Sequence, residues 1–287
     1  MQQSPFAETT SGGTSPTDEE LVQQVKGGSH EALELLIRRH QPWVYNIVLR
    51  MIYHPQDAED VTQEILIKLL TKLSTFEGRS RFRTWLYRIV TKDVLNMKRA
   101  RAEDGGRRSP VGWTFSAYGR GLNGAADMEL PEAGSVPVDT QLLVDEARIG
   151  CSSGMLLCLD REQRLVYVLG DILGVTSTIG AELLDITPDN FRQKLARARR
   201  DLHSFMQDKC GLVNKANPRR CAKKTRAFME AGYVDPQNLL FARAHVTRVR
   251  DVAARTHQDL AALDAAYAEI HRDHPATFQS ILGRPDE

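Results

Sequence analysis

"LDITPDNFRQKLARARRDLHSF", residues 184–205, decides how this chain folds. Thr187 is a good N-cap and Pro188 a good first helical residue, so the sequence predicts a helix beginning there. Phe191, Leu195, Ala198 and Leu202 follow at spacings of 4, 3 and 4, which places them on one apolar stripe. Asp189, Asn190, Arg192, Gln193, Lys194 and Arg197 are left facing outward. Upstream, the spacing predicts a short helix over Thr178–Leu184, separated from the capped helix by the turn "DIT". Before it, a helix from about Arg161 carries Leu165, Val166 and Leu169 inward. Short helix, turn and capped basic helix make a helix-turn-helix. A helix N-terminus bearing Asn190, Arg192, Gln193, Lys194 and Arg197 can reach base edges and phosphates in a major groove. The competing explanation is a plain three-helix bundle with a charged exposed helix.

Outward from that motif the chain reads as all-α in modules. Residues 1–17 are rich in Ser, Thr, Gly and Gln and read as a disordered tail. Residues 18–100 show apolar spacing near the helical period with almost no glycine. Residues 101–137 break it with Gly and Pro and read as a flexible linker. Helical periodicity returns over 138–208, and "RLVYVL" (164–169) is taken as helix from its neighbours. Residues 209–287 form a helical C-terminal extension, with a long helix expected from about Pro236 to His271.

Within the first module, "HPQDAEDVTQEILIKLLTKL" opens on Pro55 with acids in its first turns, where the helix dipole favours them. Asp57, Asp60, Glu64 and Lys68 share one face, while Ile65, Leu66, Leu69, Leu70 and Leu73 cover the other. That polar face is either merely solvated or a docking surface for a basic partner. A metal site is disfavoured, because no histidine stands at the spacing that would complete a ligand set. Further on, Arg81, Arg88, Lys92 and Arg99 fall within about 20° of one line on a helical wheel, with Trp85 at the edge of the stripe. From Arg79 to Arg101 there are eight basic residues against one acid, Asp93. Solvated faces ordinarily mix signs, whereas a one-sign stripe bordered by aromatics suits phosphates and stacked bases.

The bulk numbers bound these readings. With 41% hydrophobic residues, 26% charged residues and net charge +1, any nucleic-acid affinity comes from uneven placement of charge. No run approaches the ~18 apolar residues of a membrane span, and the N-terminus has no signal-peptide pattern. Four scattered cysteines do not make a disulfide framework, so a cytoplasmic location is expected. Cys210 and Cys221 are weak metal candidates, ten residues apart without a CxxC. No catalytic constellation, phosphate loop or cofactor motif is apparent, which argues against an enzyme such as a nuclease.

"DAEDVTQEILIKLL" followed by "FEGRSRFRTWLYRIVTKDVLNMKR", and then "LDREQRLVYVLGDILGVTSTIGAELLDITPDNFRQKLARARRDL", resembles the bacterial sigma-70 family in its small extracytoplasmic-function group. The resemblance covers roughly 19–205 and implies two helical domains, region 2 and a region 4 helix-turn-helix, joined by a linker. It implies that Asp57, Asp60, Gln63 and Glu64 dock on the coiled coil of the RNA polymerase β′ clamp. Arg79, Arg81, Arg83, Trp85, Arg88, Lys92, Asn96 and Arg99 would hold the opened minus-ten strand. The helix from Pro188 would read the minus-thirty-five element. The implied partners are core RNA polymerase and promoter DNA; an anti-sigma factor is one the resemblance allows. The chain departs from the family pattern at Pro188–Phe191, where Asp189 would repel phosphate. The alternative is a helix-turn-helix regulator that binds duplex DNA and does not dock on polymerase.

Overall fold

The computed structural model describes residues 16–52, 54–97, 114–124, 138–217, 221–230, 234–236 and 239. Among the described residues every regular element is helical. No helix among them is long and apolar enough to cross a membrane.

Helices α1 (Asp18–Lys26), α2 (His30–Ile52), α3 (Pro55–Lys72) and α4 (Phe82–Asn96) make the first bundle. The start of α1 is a capping box: Thr17 Oγ1 accepts the Glu20 amide, and the Glu20 carboxylate accepts the Thr17 amide at 2.7 Å. Gly28, at φ +95°, makes the turn into α2 that a side chain would strain. Pro55 opens α3, as its missing amide donor permits. Leu36, Ile47, Val48, Ile65, Leu69, Phe82, Leu86, Tyr87 and Val90 form the bundle's core, all almost wholly buried.

The second bundle is built from α6 (Val138–Leu157), α7 (Arg161–Tyr167), α8 (Ser177–Leu184) and α9 (Pro188–Lys209). Asp160 caps α7, which continues into a π-turn at Val168–Ile172. Thr176 caps α8, and the helix stops at Asp185, held left-handed at φ 55°. Thr187 Oγ1 accepts the Asn190 amide to start α9 with Pro188 in its first turn. Phe191, Ala198 and Leu202 are fully buried, and Leu195 is half-buried beside Gly170. Gly180 faces the Phe191 ring so closely that a Cβ there would stand 2.3 Å from Phe191 Cε2. Asp171 in the π-turn accepts two guanidinium nitrogens of Arg199 at 2.5 and 2.9 Å, tying the π-turn to α9.

One part of the expected linker is not extended chain. Residues Phe115–Gly124 form α5, because Phe115 and Tyr118 stack on Phe205 of α9 at 5.1 and 5.8 Å. The Tyr118 hydroxyl donates to the Cys151 carbonyl at 3.2 Å. The flexible linker read over 101–137 is therefore corrected at 114–124, where apolar burial outweighs the low helix propensity of glycine. Helix α10 (Cys221–Glu230) packs on α6. The helix expected over 236–271 lies outside the described residues, except for Pro236 and Leu239.

Side chains of each bundle bond the other's backbone. Arg164 Nη1 donates to the Met51 carbonyl at the end of α2, while its other nitrogens serve Leu156, Leu157 and Leu159. Arg161 donates to the Leu95 and Met97 carbonyls at the end of α4. In the other direction, Arg88 and Thr91 of α4 donate to the Glu182 and Leu183 carbonyls of α8 at 2.9 and 3.1 Å. These bonds satisfy carbonyls that helix ends leave open. Burial and then the neighbouring Arg161 charge pull the Arg164 guanidinium down to about 10, still charged at neutral pH.

Candidate docking and nucleic-acid interfaces

On α3 the amphipathic pattern sorts the residues as expected. Ala58, Val61, Ile65, Leu66 and Leu69 are buried, and Asp57, Asp60, Gln63 and Glu64 lie together on the exposed side. Ile67 sits one turn beyond Gln63 and Glu64 and is 61% exposed, an apolar spot on a polar face. Asp57 stands 4.0 Å from His54, and Lys68 pairs with Asp93 of α4 at 3.3 Å. Among the described residues no group of three His, Cys, Asp or Glu is arranged to hold a metal ion. The Cys158 thiol is pushed up to about 12 by burial, so it stays protonated. Cys210 is half-buried, and nothing is described of the Cys221 side chain.

The second surface surrounds the loop between α3 and α4. Two buried rings anchor it, Phe76 and Phe82, 5.4 Å apart and nearly perpendicular. Trp85 leans on both, at 5.3 and 5.7 Å, and is half-buried. Between the anchors, Glu77, Gly78, Arg79 and Arg81 are exposed, with Arg79 paired to Glu77 at 2.5 Å. Gly78, at φ +74°, makes the turn. Along α4, Arg88, Lys92 and Asn96 are exposed, while Arg99 lies outside the described residues.

Two arginines of this set have partners that the helical wheel did not show. Arg83 turns back into the bundle, where its Nε donates to Asp18 at 2.6 Å. Asp18 is 4% exposed and is also met by Arg39 at 2.6 Å and by His40 at 3.2 Å. Burial pushes the Asp18 carboxyl up, but hydrogen bonding and charge from His40, with hydrogen bonds from Arg83 and Arg39, outweigh it. The carboxyl is held well below the usual carboxylate range. Arg88 keeps an exposed side chain but is engaged by α8. Neither partnership was legible, since Arg83 and Asp18 stand 65 residues apart, and Arg88 and Glu182 94.

The third surface is the start of α9. Asn190, Arg192, Gln193 and Arg197 are exposed and Lys194 is half-buried. The acid that would repel phosphate is answered locally: Asp189 pairs with Arg192, which also donates to Ser177 of α8. Lys194 pairs with Glu162 of α7 at 2.5 Å. Cationic side chains therefore border this helix end, two of them held by neighbours.

Residues 36–103 match the family model described as sigma-70 region 2, a span that holds both the acidic face of α3 and the loop with α4. The RNA polymerase sigma-H factor of Pseudomonas aeruginosa is 27% identical over 197 residues, which is 68% of this chain and 96% of that one. The ECF RNA polymerase sigma-E factor of Escherichia coli K12 is 29% identical over 193 residues, 67% of this chain and 95% of that one. The region 2 match and these relatives support a place in the sigma-70 family. Within it, this sigma factor is of the extracytoplasmic-function type and directs transcription initiation. A solved structure of the sigma factor RpoE with the anti-sigma factor NepR from Bartonella quintana aligns at TM-score 0.41 and 17% identity. The alignment spans 61% of this chain and 96% of that one.

Proposed function

We propose that this sigma factor holds core RNA polymerase through Asp57, Asp60, Gln63 and Glu64, whose exposed side chains sit on one rigid helix face. The coiled coil of the β′ clamp is the partner in this reading, and the acidic face selects its basic side chains. The observation that carries the assignment is the coincidence of this face and the aromatic-anchored loop within one region 2 match. The opened minus-ten strand would then lie across the loop and α4, with Arg79, Arg81, Lys92 and Asn96 toward its phosphates and bases and Trp85 as a stacking edge. Arg88 joins that surface once the α4–α8 contact parts. The start of α9 would read the minus-thirty-five duplex through Asn190, Arg192, Gln193, Lys194 and Arg197. The protein works in the cytoplasm, and its contribution to initiation is binding, with the chemistry left to the polymerase.

The test is transcription by core polymerase with this chain on a genomic library, with transcript starts mapped. The reading predicts initiation at a shared promoter sequence that core polymerase alone does not use. Duplex binding without any stimulated initiation would favour the helix-turn-helix regulator instead.

A further inference from the structure

Helix α1 lies almost wholly outside the surfaces described so far, yet three of its side chains reach the strand-facing loop. Lys26 Nζ donates to the Phe76 carbonyl at 2.6 Å and stands 5.9 Å from the Phe76 ring centroid. The Glu19 carboxylate accepts the Phe82 amide at 2.9 Å. Asp18 accepts Arg83 Nε at 2.6 Å. The contacts fall on both ends of the loop. Lys26 holds the residue where the chain leaves α3, and Glu19 and Asp18 hold the residues where α4 begins.

The chemistry at the α4 end is specific. Arg81 is the N-cap of α4, and no side-chain cap bond comes from it. The first amide of the helix is instead capped from α1, by a carboxylate at the positive end of the α4 dipole. A helix normally caps itself from a neighbour in sequence, but here the cap comes from 63 residues away. The start of α4, and with it the direction of Arg81 and Trp85, is therefore set by where α1 sits.

We propose that Asp18, Glu19 and Lys26 are positioning residues for the single-strand-binding loop, so that α1 sets how selectively the loop holds an unstacked base of the opened strand. This rests on the minus-ten reading of the loop given above. Among the described backbone hydrogen bonds none lies within 77–81, and bonds from α1 hold both ends of that stretch. A base pocket loose by an ångström loses selectivity before it loses all affinity.

The experiment uses full-length protein with core polymerase, and a set of single-stranded minus-ten oligonucleotides that differ one base at a time. Lys26→Met removes one donor from an exposed side chain and leaves the core closed, and Glu19→Ala removes the cap. Each is expected to reduce the preference for the best oligonucleotide over its single-base variants by about tenfold. Core polymerase affinity should stay near wild type, melting temperature should fall by only a few degrees, and Lys26→Arg should keep the preference. Unchanged base preference in both variants would overturn the proposal. So would a loss shared equally by strand binding, polymerase affinity and melting temperature, which is what a purely structural role gives. If wild-type holoenzyme bound no oligonucleotide, the minus-ten reading itself would fail and this proposal with it.

Discussion

The two surfaces proposed for DNA are held in place in opposite ways. The start of α9 is organised by its own neighbourhood: Thr187 caps it, Asp189 pairs with Arg192, and Phe191 locks it against Gly180 eleven residues earlier. The loop before α4 is organised from a distance, by Asp18, Glu19 and Lys26 on a helix that precedes it by more than fifty residues. A locally built surface keeps its shape wherever its domain goes. One built at long range depends on the integrity of the whole bundle and can be loosened without being touched.

Substitutions can break or sharpen that contrast. The largest effect is expected at Phe191, which is fully buried against Gly180. Phe191→Ala should cost about 3–5 kcal/mol by chemical denaturation. Hydrogen exchange should show α8 and α9 opening while α1–α4 stay protected. Gly180→Ala should destabilise the same unit by about 1–3 kcal/mol, since the added methyl meets the ring before it can move aside. Uniform loss of protection across both bundles would show that the helix-turn-helix is not locally built.

Next comes Asp18. Asp18→Asn leaves Arg83 and Arg39 without their charge partner. Both arginines are about a quarter exposed, so the cost is discounted to about 2 kcal/mol at neutral pH. The pH dependence has a definite sign. The folded carboxyl lies below its unfolded value, so its stabilisation is full above the unfolded pKa of about 4 and is lost as pH falls toward the folded pKa. The gap between wild type and Asp18→Asn, measured by urea denaturation, should therefore be widest near neutrality and narrow below about pH 4. A gap that widened in acid would contradict the ion-pair account.

Smaller effects test the local side again. Thr187→Ala removes the cap oxygen and should cost about 1 kcal/mol, confined to the first turn of α9. Lys68→Ala breaks a half-exposed pair with Asp93, and its cost should stay at about 1 kcal/mol or less, the surface-pair value.

This contrast also explains what could be read in advance. The N-cap and proline at Thr187–Pro188, the buried stripe of α9 and the two faces of α3 are local periodic signals, and they appear where the spacing places them. Hidden from such reading were Arg83 turning inward to Asp18, Arg161 and Arg164 reaching back to the ends of α2 and α4, and Arg199 gripping Asp171. Each is a pairing across tens of residues, and an arginine in sequence does not name its partner. Helix α5 was hidden for another reason. Gly119, Gly121 and Gly124 disguise the periodicity of Phe115, Tyr118 and Leu122, yet Gly119 is also what lets the helix approach Phe205 and Lys209, 3.3 Å from where a Cβ would stand. The stretch "CGLVNKAN" (210–217) carries no periodic signal, and its two asparagines act through the backbone. The Asn214 and Asn217 side-chain amides donate to the Gln207 and Asp208 carbonyls and close the end of α9.

The central claim is that this sigma factor engages polymerase through the acidic face of α3. Its most direct measurement is the affinity of core polymerase for the Asp60→Lys, Glu64→Lys double variant, with circular dichroism to check helicity. Both residues are exposed, so the fold should be retained while affinity falls about a hundredfold or more. Wild-type affinity in a normally helical variant would contradict the account.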